Sequence, residues 1–193
     1  SAMTTTLAID CGGGGIKASV LDEAGTMRAH PIRVPTPYPL TTELFVQTLV
    51  DLAAQLPKAD RATVGMPGMI RHGVVITTPH YITKSGPRTR VLPELVVQWE
   101  GFDVKAALEL AFGIPTRVLN DAEVHAAGVI AGQGLELVLT LGTGLGCAIY
   151  DREGVSIRVS DQHASYFIQN LVAILCEERL AFCMYRPLAF VTG

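Results

Sequence analysis

The sequence predicts an α/β fold, because short β-forming runs alternate along the chain with amphipathic helical stretches. Apolar runs rich in β-formers begin at Thr5 and Ile16, and each one ends at glycines or turn residues. After Thr42, apolar residues recur every three or four positions, which is the spacing of one face of a helix. Residues 102–112 repeat that pattern, and Gly113 follows as a helix terminator.

Taken in order, the same patterns assign each element of the chain. The predicted strands cover residues 5–9, 16–21, 27–34, 62–66, 74–76, 116–119, 135–141 and 147–150. The predicted helices are the one after Thr42, residues 102–112 and residues 122–130. Residues 74–76 are expected to continue the same sheet. Residues 77–97 hold three prolines and show no periodicity, so they are predicted as one long loop.

Composition narrows the class of protein. Apolar residues make up 49% of the chain and charged residues 17%, which is typical of a packed domain. The net charge is −3 with no basic run, so nucleic acid is not expected as a partner. Polar and charged residues interrupt the apolar stretch 166–185, so no membrane span is expected and the protein is predicted to be cytoplasmic. The cysteines lack metal-ligand spacing, and no zinc is expected.

A first glycine turn (Gly12–Gly15) follows the first predicted strand. Its four glycines, Gly12, Gly13, Gly14 and Gly15, allow the backbone to approach a phosphate closely and to point several amides at it. Asp10 ends the strand, where a carboxylate can hold Mg²⁺ through water, and Lys17 can add a positive charge. The alternative is a glycine-rich hairpin with an incidental aspartate. The run fits neither the Walker nor the dinucleotide pattern.

A second glycine turn (Gly142–Gly146) also follows an apolar strand. Thr140, Gly142, Thr143, Gly144 and Gly146 would supply hydroxyls and amides to a phosphate. A structural hairpin is the alternative explanation for this turn taken alone. Two such turns, each placed after a strand, predict a phosphate held from both sides.

Asn120-Asp121 lies between the two turns in sequence, at the junction of a predicted strand and a predicted helix. An aspartate at a helix N-terminus is ordinarily explained as a cap. Transfer of a phosphoryl group to an alcohol, however, needs a carboxylate that accepts the hydroxyl proton. Asp121 is the candidate for that role, and Asn120 could hold a neighbouring hydroxyl.

Four motifs together resemble the ROK (repressor, ORF, kinase) family, most closely its polyphosphate/ATP glucokinase branch. They are the segments at residues 10–17, 65–68, 120–122 and 141–146, and the resemblance covers about residues 5–154. The resemblance implies the actin-like ATPase (ribonuclease H-like) fold with two lobes, here residues 1–118 and 119–193.

In that family both glycine turns bind phosphate, and the aspartate at the position of Asp121 is the general base. Pro67, Gly68 and Asn120 would shape the sugar site. The implied reaction transfers a phosphoryl group from ATP or polyphosphate to the 6-hydroxyl of glucose or a related hexose.

The resemblance fades after Gly154, so the second lobe is expected to be truncated or divergent. Asp161 and His163 are the counterparts of the family's sugar-binding segment. The alternative function is therefore a truncated or non-catalytic member of the family that binds sugar or phosphate. The apolar tail 167–191 would need covering, which predicts a homodimer, and the 193-residue chain is expected to be a poor catalyst.

Overall fold

The computed structural model describes residues 3–121, 123 and 124, together with the backbone of residues 136–141 and 145–150. The chain divides into two compact units, Ser1–Asp121 and Ala122–Gly193. The sequence predicted this boundary between residues 118 and 119. No helix in the described part of the chain is long and apolar enough to cross a membrane.

The described elements, in chain order, are β1 (Thr6–Cys11), β2 (Ile16–Leu21), β3 (Ile32–Val34), α1 (Thr42–Ala53), β4 (Arg61–Met66), β5 (Met69–Arg71), β6 (Val74–Thr77), α2 (Pro93–Trp99), α3 (Val104–Phe112), β7 (Thr116–Asn120), β8 (Glu136–Leu141) and β9 (Leu145–Tyr150). The first unit is built on a five-stranded sheet in the order β3-β2-β1-β4-β7. Strands β1, β4 and β7 run parallel, whereas β2 and β3 are antiparallel to their neighbours. This mixed sheet with helices confirms the predicted α/β class.

One face of the sheet forms the core of the first unit. In β1 the alternate residues Leu7, Ile9 and Cys11 are buried, while Asp10 between them is exposed. The helices bury their apolar stripes in the same core, through Phe45, Leu49 and Leu52 of α1 and Val104 and Leu108 of α3. The alternation therefore sends Asp10 to the opposite face of the sheet.

Capping side chains fix the N-terminal ends of α1 and α3, whereas the predicted helix 122–130 lies largely outside the described residues. Thr41 caps α1 by accepting a hydrogen bond from the Leu44 amide at 3.1 Å. Asp103 caps α3 in the same way, from the Ala106 amide at 2.9 Å. Gly113 ends α3 in the left-handed conformation with φ 68°, as a C-terminal glycine does.

The third strand is shorter than its predicted range of 27–34. Only Ile32–Val34 pairs with β2, and Met27 makes an isolated bridge to Leu21. Pro31 lies between the two paired segments and has no amide hydrogen to donate to the ladder. The prediction of a continuous strand was therefore wrong at its N-terminal half.

Residues 74–76 do not continue the main sheet, contrary to the prediction. They belong to β6, which pairs with β5 in a separate two-stranded sheet. His72 and Gly73, with φ 54° and 85°, form the tight turn between these strands. This local turn pairs β6 with its sequence neighbour and so removes it from the main sheet.

The predicted loop 77–97 was also partly wrong, because α2 begins inside it. Pro93 occupies the first turn of α2, where its missing amide hydrogen is not needed. Leu95 and Trp99, four residues apart, are the buried residues of this helix. The prolines that suggested a loop therefore include one that starts a helix.

We expect the stability of the first unit to depend on pH through the turn after β2. Asp22 accepts hydrogen bonds from the amides of Thr26 and Ala24 at 2.9 and 3.0 Å, and it pairs with Arg28 at 3.0 Å. These contacts, the Thr26 amide foremost, lower the pKa of Asp22. A lowered pKa stabilises the fold above the ordinary value of the group, and this stabilisation is lost on acidification.

The Tm should therefore fall as the pH decreases from about 5 to about 3, and it should fall less in Asp22→Asn. Thermal unfolding followed by circular dichroism across this range measures the difference. Asp51→Asn, on the exposed face of α1, is the matched control and should keep the wild-type slope. Equal slopes in wild type and Asp22→Asn would show that this turn does not contribute.

Candidate phosphate and sugar site

The carboxyl ends of the three parallel strands bring the predicted acidic residues to one edge of the sheet. Asp10 is paired with Gly65, and Gly65 with Leu119, in one row across β1, β4 and β7. Neighbouring strands lie about 4.8 Å apart, so the Cα atoms of Asp10 and Leu119 are about 10 Å apart. Asp121 follows directly after β7 and is half-buried. Ligands of open α/β sheets bind at such an edge.

The first glycine turn is held from outside by two hydroxyl groups. Thr36 Oγ1 donates to the Gly12 carbonyl at 2.7 Å, and Tyr38 OH donates to the Gly13 carbonyl at 2.8 Å. Within the described residues no hydrogen bond engages the amides of Gly13 and Gly14. Successive unengaged amides at a turn form a concavity suited to an anion.

Tyr38 remains a hydrogen-bond donor across the physiological range. Burial raises the pKa of Tyr38 to about 12, because the charged phenolate would lose its hydration. Its hydroxyl therefore keeps its proton and continues to hold the Gly13 carbonyl. Neither Thr36 nor Tyr38 was identified from the sequence, since both lie in the proline-rich connection before α1.

The segment between β6 and α2 packs against the first glycine turn. A Cβ atom built on Gly13 would lie 2.6 Å from Pro87 Cγ and 3.2 Å from His80 Nδ1. That nitrogen of His80 is buried without a hydrogen-bond partner among the described residues. The same segment is braced internally, because Thr83 Oγ1 and Thr89 Oγ1 both donate to the Gly86 carbonyl, at 2.8 and 2.7 Å.

We expect Gly13→Ala to weaken phosphate binding, because the new methyl group must displace Pro87 or the turn itself. Gly25→Ala is the control, since a Cβ there meets nothing within 4 Å and its turn follows the end of β2 that is far from the first glycine turn. Titration with tripolyphosphate should show a loss of about tenfold in affinity for Gly13→Ala, which corresponds to about 1.4 kcal/mol. Equal affinities of the two variants would contradict the close packing of this turn.

The predicted sugar residues are linked to one another at the same edge. The Asn120 side-chain amide donates to the Gly68 carbonyl, and Thr78 Oγ1 donates to the Pro67 carbonyl at 3.0 Å. Asn120 is buried, at 1% exposure. Gly68 has φ 109°, and a Cβ there would lie 2.1 Å from the Thr77 carbonyl oxygen, so only glycine fits. Asn120 therefore fixes the Pro67-Gly68 turn beside Asp121.

Tyr81 is a residue of this edge that the sequence did not reveal. The side chain is fully buried, and its hydroxyl has no hydrogen-bond partner among the described residues. Burial above all, and also negative groups that include Asp121 and Asp10, raise the pKa of Tyr81. The phenol therefore keeps its proton and remains a potential hydrogen-bond donor. A lone tyrosine in a proline-rich segment carries no sequence signal for such a position.

Cys11 is chemically quiet despite its place beside Asp10. Burial, and to a smaller extent the charge of Asp10, raise the pKa of the Cys11 thiol well above its usual value. A protonated, fully buried thiol is a poor nucleophile. Cys11 therefore serves the core of the sheet rather than the chemistry of the edge.

The other predicted site residues belong to the second unit. Thr140 in β8 and Gly146 in β9 are register partners of an antiparallel pair, as a hairpin at the second glycine turn requires. Gly142, Thr143 and Gly144 lie outside the described residues, as do Asp161 and His163. Their assignment to phosphate and sugar binding stays a prediction.

The donor set at Asp10 fits Mg²⁺. The side chain is exposed, and no hydrogen bond or ion pair within the described residues engages its carboxylate. Mg²⁺ is typically held by one or two carboxylates, by water and by substrate phosphates, which this strand end next to a glycine turn can accommodate. Among the described residues no group of three or more histidine, cysteine, aspartate or glutamate side chains is placed to hold a metal.

The sheet order, with a glycine turn between its first two strands and acidic groups at its carboxyl edge, defines an α/β protein of the actin-like ATPase class. The chain matches the ROK family over residues 6–154, and it therefore belongs to that family. This confirms the resemblance that the motifs carry.

Two similar proteins are sugar kinases. The chain is 30% identical to polyphosphate glucokinase of Mycobacterium tuberculosis over 151 residues, which are 73% of this chain and 51% of that protein. The crystal structure of inorganic polyphosphate/ATP-glucomannokinase from Arthrobacter sp. strain KM superposes with a TM-score of 0.62 at 28% identity, covering 82% of this chain and 62% of that one. The chain thus spans about half the length of the curated relatives that it matches.

A shorter stretch of the chain is similar in sequence to a viral capsid protein. The chain is 42% identical over 45 residues, 23% of its length, to the major capsid protein of Enterobacteria phage HK97. These residues are 12% of the capsid protein. The family match, by comparison, ends at residue 154 of this chain.

Proposed function

We propose that this chain carries the donor-binding and base-bearing part of a hexose kinase. The reaction would transfer a phosphoryl group from ATP or polyphosphate to the 6-hydroxyl of glucose or a related hexose. The observation that carries the proposal is the meeting of Asp10, the first glycine turn and Asn120-Asp121 at one edge of the sheet. A phosphoryl donor and a hydroxyl acceptor need these two kinds of group side by side.

In this proposal Asp121 accepts the proton of the sugar hydroxyl as that oxygen forms its bond to phosphorus. The bond between that phosphorus and the donor's bridging oxygen breaks, and ADP or a polyphosphate shortened by one unit leaves. Asp10 would hold Mg²⁺, which neutralises charge on the donor phosphates. The amides of Gly13 and Gly14 would hold the phosphate oxygens in place.

The sugar would lie beside the Pro67-Gly68 turn, which the buried hydrogen bond from Asn120 orients. The second glycine turn, with Thr140, Gly142, Thr143, Gly144 and Gly146, would contact the phosphates from the second unit. Asp161 and His163 would complete the sugar contacts. We further propose a cytoplasmic homodimer whose partners are the hexose and the donor.

A second candidate function is a non-catalytic member of the family that binds phosphate or sugar. Two observations favour it, namely the end of the family match at residue 154 and the short likeness to a capsid protein. We propose that this likeness falls mainly on the segment after residue 154, where the family match ends, and begins a few residues before it. That segment would then contribute no sugar contacts, and Asp161 and His163 would not bind sugar.

Ligand protection and a coupled assay test both functions on the same sample. A ligand that binds only the folded state raises the Tm, so glucose, ATP and polyphosphate are added separately. Protection followed by turnover with at least one hexose supports the kinase. Protection without turnover supports the binding member, and no protection by any of these ligands contradicts both.

We expect the 193-residue chain by itself to be a dimer that binds phosphate weakly and phosphorylates little or no glucose. The physical reason is that catalysis here depends on positioning, and after Gly154 only Asp161 and His163 correspond to the sugar-binding segment of the family. Light scattering gives the mass and the coupled assay gives the rate. A monomer that turns over at about 1–10³ per second, the usual enzyme scale, would contradict this expectation.

A further inference from the structure

Three charged side chains stand in one row across the antiparallel half of the sheet. Asp10 of β1 is directly opposite Lys17 of β2, and Lys17 is directly opposite Arg33 of β3. Residues paired in this way project from the same face, with Cβ atoms about 4.5–5.5 Å apart. All three side chains are exposed. Two cations therefore lie side by side next to the carboxylate at the strand end.

The guanidinium group of Arg33 lies at the end of the first glycine turn. A Cβ atom built on Gly15 would be 3.0 Å from Arg33 Nε and 3.1 Å from Nη2. The planar group thus covers the backbone of Gly15, where a larger residue would push it away. Its donors lie near the turn whose Gly13 and Gly14 amides are not engaged within the described residues.

The row carries an excess positive charge, because the Asp10 carboxylate offsets only one of its two cations. Like charges directly opposite each other in a sheet repel and destabilise the pair. In the described part of the chain, neither the Lys17 nor the Arg33 side chain has an ion pair or a hydrogen bond. The chain as a whole carries a net charge of −3, so this pair of cations is a local concentration of positive charge in an acidic protein.

We propose that Lys17 and Arg33 together hold the phosphoanhydride chain of the phosphoryl donor, with Arg33 as a phosphate ligand that the sequence motifs do not contain. This inference rests on the proposed function, because it assigns a ligand to the same edge of the sheet. The rigid fork of a guanidinium group matches phosphate oxygens in pairs, whereas the lysine ammonium adds a point charge. A phosphoanhydride chain is common to ATP and to inorganic polyphosphate.

Direct titration of the 193-residue chain separates these sources. Calorimetry with tripolyphosphate and with ATP, each with Mg²⁺ present, gives the affinity for wild type, Arg33→Gln, Arg33→Lys and Lys58→Gln. Arg33→Gln should bind about tenfold more weakly, and Arg33→Lys should recover only part of the loss. Lys58→Gln removes the same charge from an exposed position before β4, at the opposite end of that strand, and should stay within about twofold.

Weaker binding of both ligands in Arg33→Gln supports a role in holding the phosphates that they share. If Arg33→Gln weakens the binding of tripolyphosphate but not of ATP, the row of Lys17 and Arg33 binds inorganic polyphosphate. Unchanged affinity for both, or an equal loss in Lys58→Gln, overturns the inference. The coupled assay keeps the two proposals apart, because a chain that binds donors through Arg33 and phosphorylates no hexose contradicts only the kinase function. Kinase activity with unchanged binding in Arg33→Gln contradicts only the role of Arg33.

Discussion

Asp121→Asn is expected to lower turnover by about 10² to 10⁴, the usual contribution of a general base, while sugar binding is largely kept. Asparagine has the size of aspartate and can still cap a helix, but it cannot accept the proton of the sugar hydroxyl. Asp121 is suited to this role by its place directly after β7, at the edge that also holds Asp10. The rate is measured with the coupled assay in whichever form of the protein is active.

Asp103→Asn is the matched control for this substitution. Asp103 precedes α3 and caps it through the amide of Ala106. Asparagine is an equally good cap, so this variant should keep both stability and turnover. Near-normal turnover in Asp121→Asn would end the assignment of Asp121 as the base. An equal loss in both variants would point to an effect that the two substitutions share rather than to the loss of a base.

Gly68→Ala should be the most destabilising of the substitutions considered. The added Cβ would lie 2.1 Å from the Thr77 carbonyl oxygen and 2.8 Å from the Thr78 Cα, both of them backbone atoms that cannot rotate away. The φ of 109° adds conformational strain of about 1–3 kcal/mol. With a steric contribution of about 1–3 kcal/mol, the free energy of unfolding should fall by about 2–6 kcal/mol.

Gly25→Ala separates the two contributions. Gly25 also has a positive φ, 78°, but a Cβ there meets nothing within 4 Å, so only the conformational strain of about 1–2 kcal/mol applies. Urea unfolding followed by circular dichroism gives both values. Gly68→Ala should also lose sugar affinity, because the Gly68 carbonyl accepts the hydrogen bond of Asn120. Equal destabilisation in the two variants would mean that the backbone around Thr77 yields easily.

The sequence predicted what depends on local chemistry. Alternating apolar runs located β1, β2, β4 and β7, and the capping and terminating residues located α1 and α3. The glycine-rich turn after Asp10 and the dipeptide Asn120-Asp121 could be identified because each interrupts an apolar strand. Parallel sheets bind ligands at the carboxyl ends of their strands. The positions of these residues at strand ends therefore predicted that they would lie at one edge of the sheet.

The remaining features depend on contacts between distant residues. Arg33 is unremarkable in sequence, and only the register of β3 on β2 brings it beside Lys17 and the first glycine turn. Tyr81 and Pro87 lie near the same edge. They belong to a segment without periodicity, for which local patterns predicted a loop. Pairing of β6 with β5 rather than with the main sheet was decided by the turn at Gly73.

An aromatic cluster, formed by Phe45, Tyr81, Trp99 and Phe102, gives the first unit an optical signal of its own. Trp99 is the single tryptophan of the chain, 1% exposed, and its ring centroid lies 5.3 Å from that of Tyr81. Its indole Nε1 donates to the Leu40 carbonyl at 2.9 Å. An indole that is shielded from water fluoresces at short wavelength, and its emission shifts to longer wavelength when water reaches the ring. Emission spectra recorded during unfolding therefore report on Ser1–Asp121 alone.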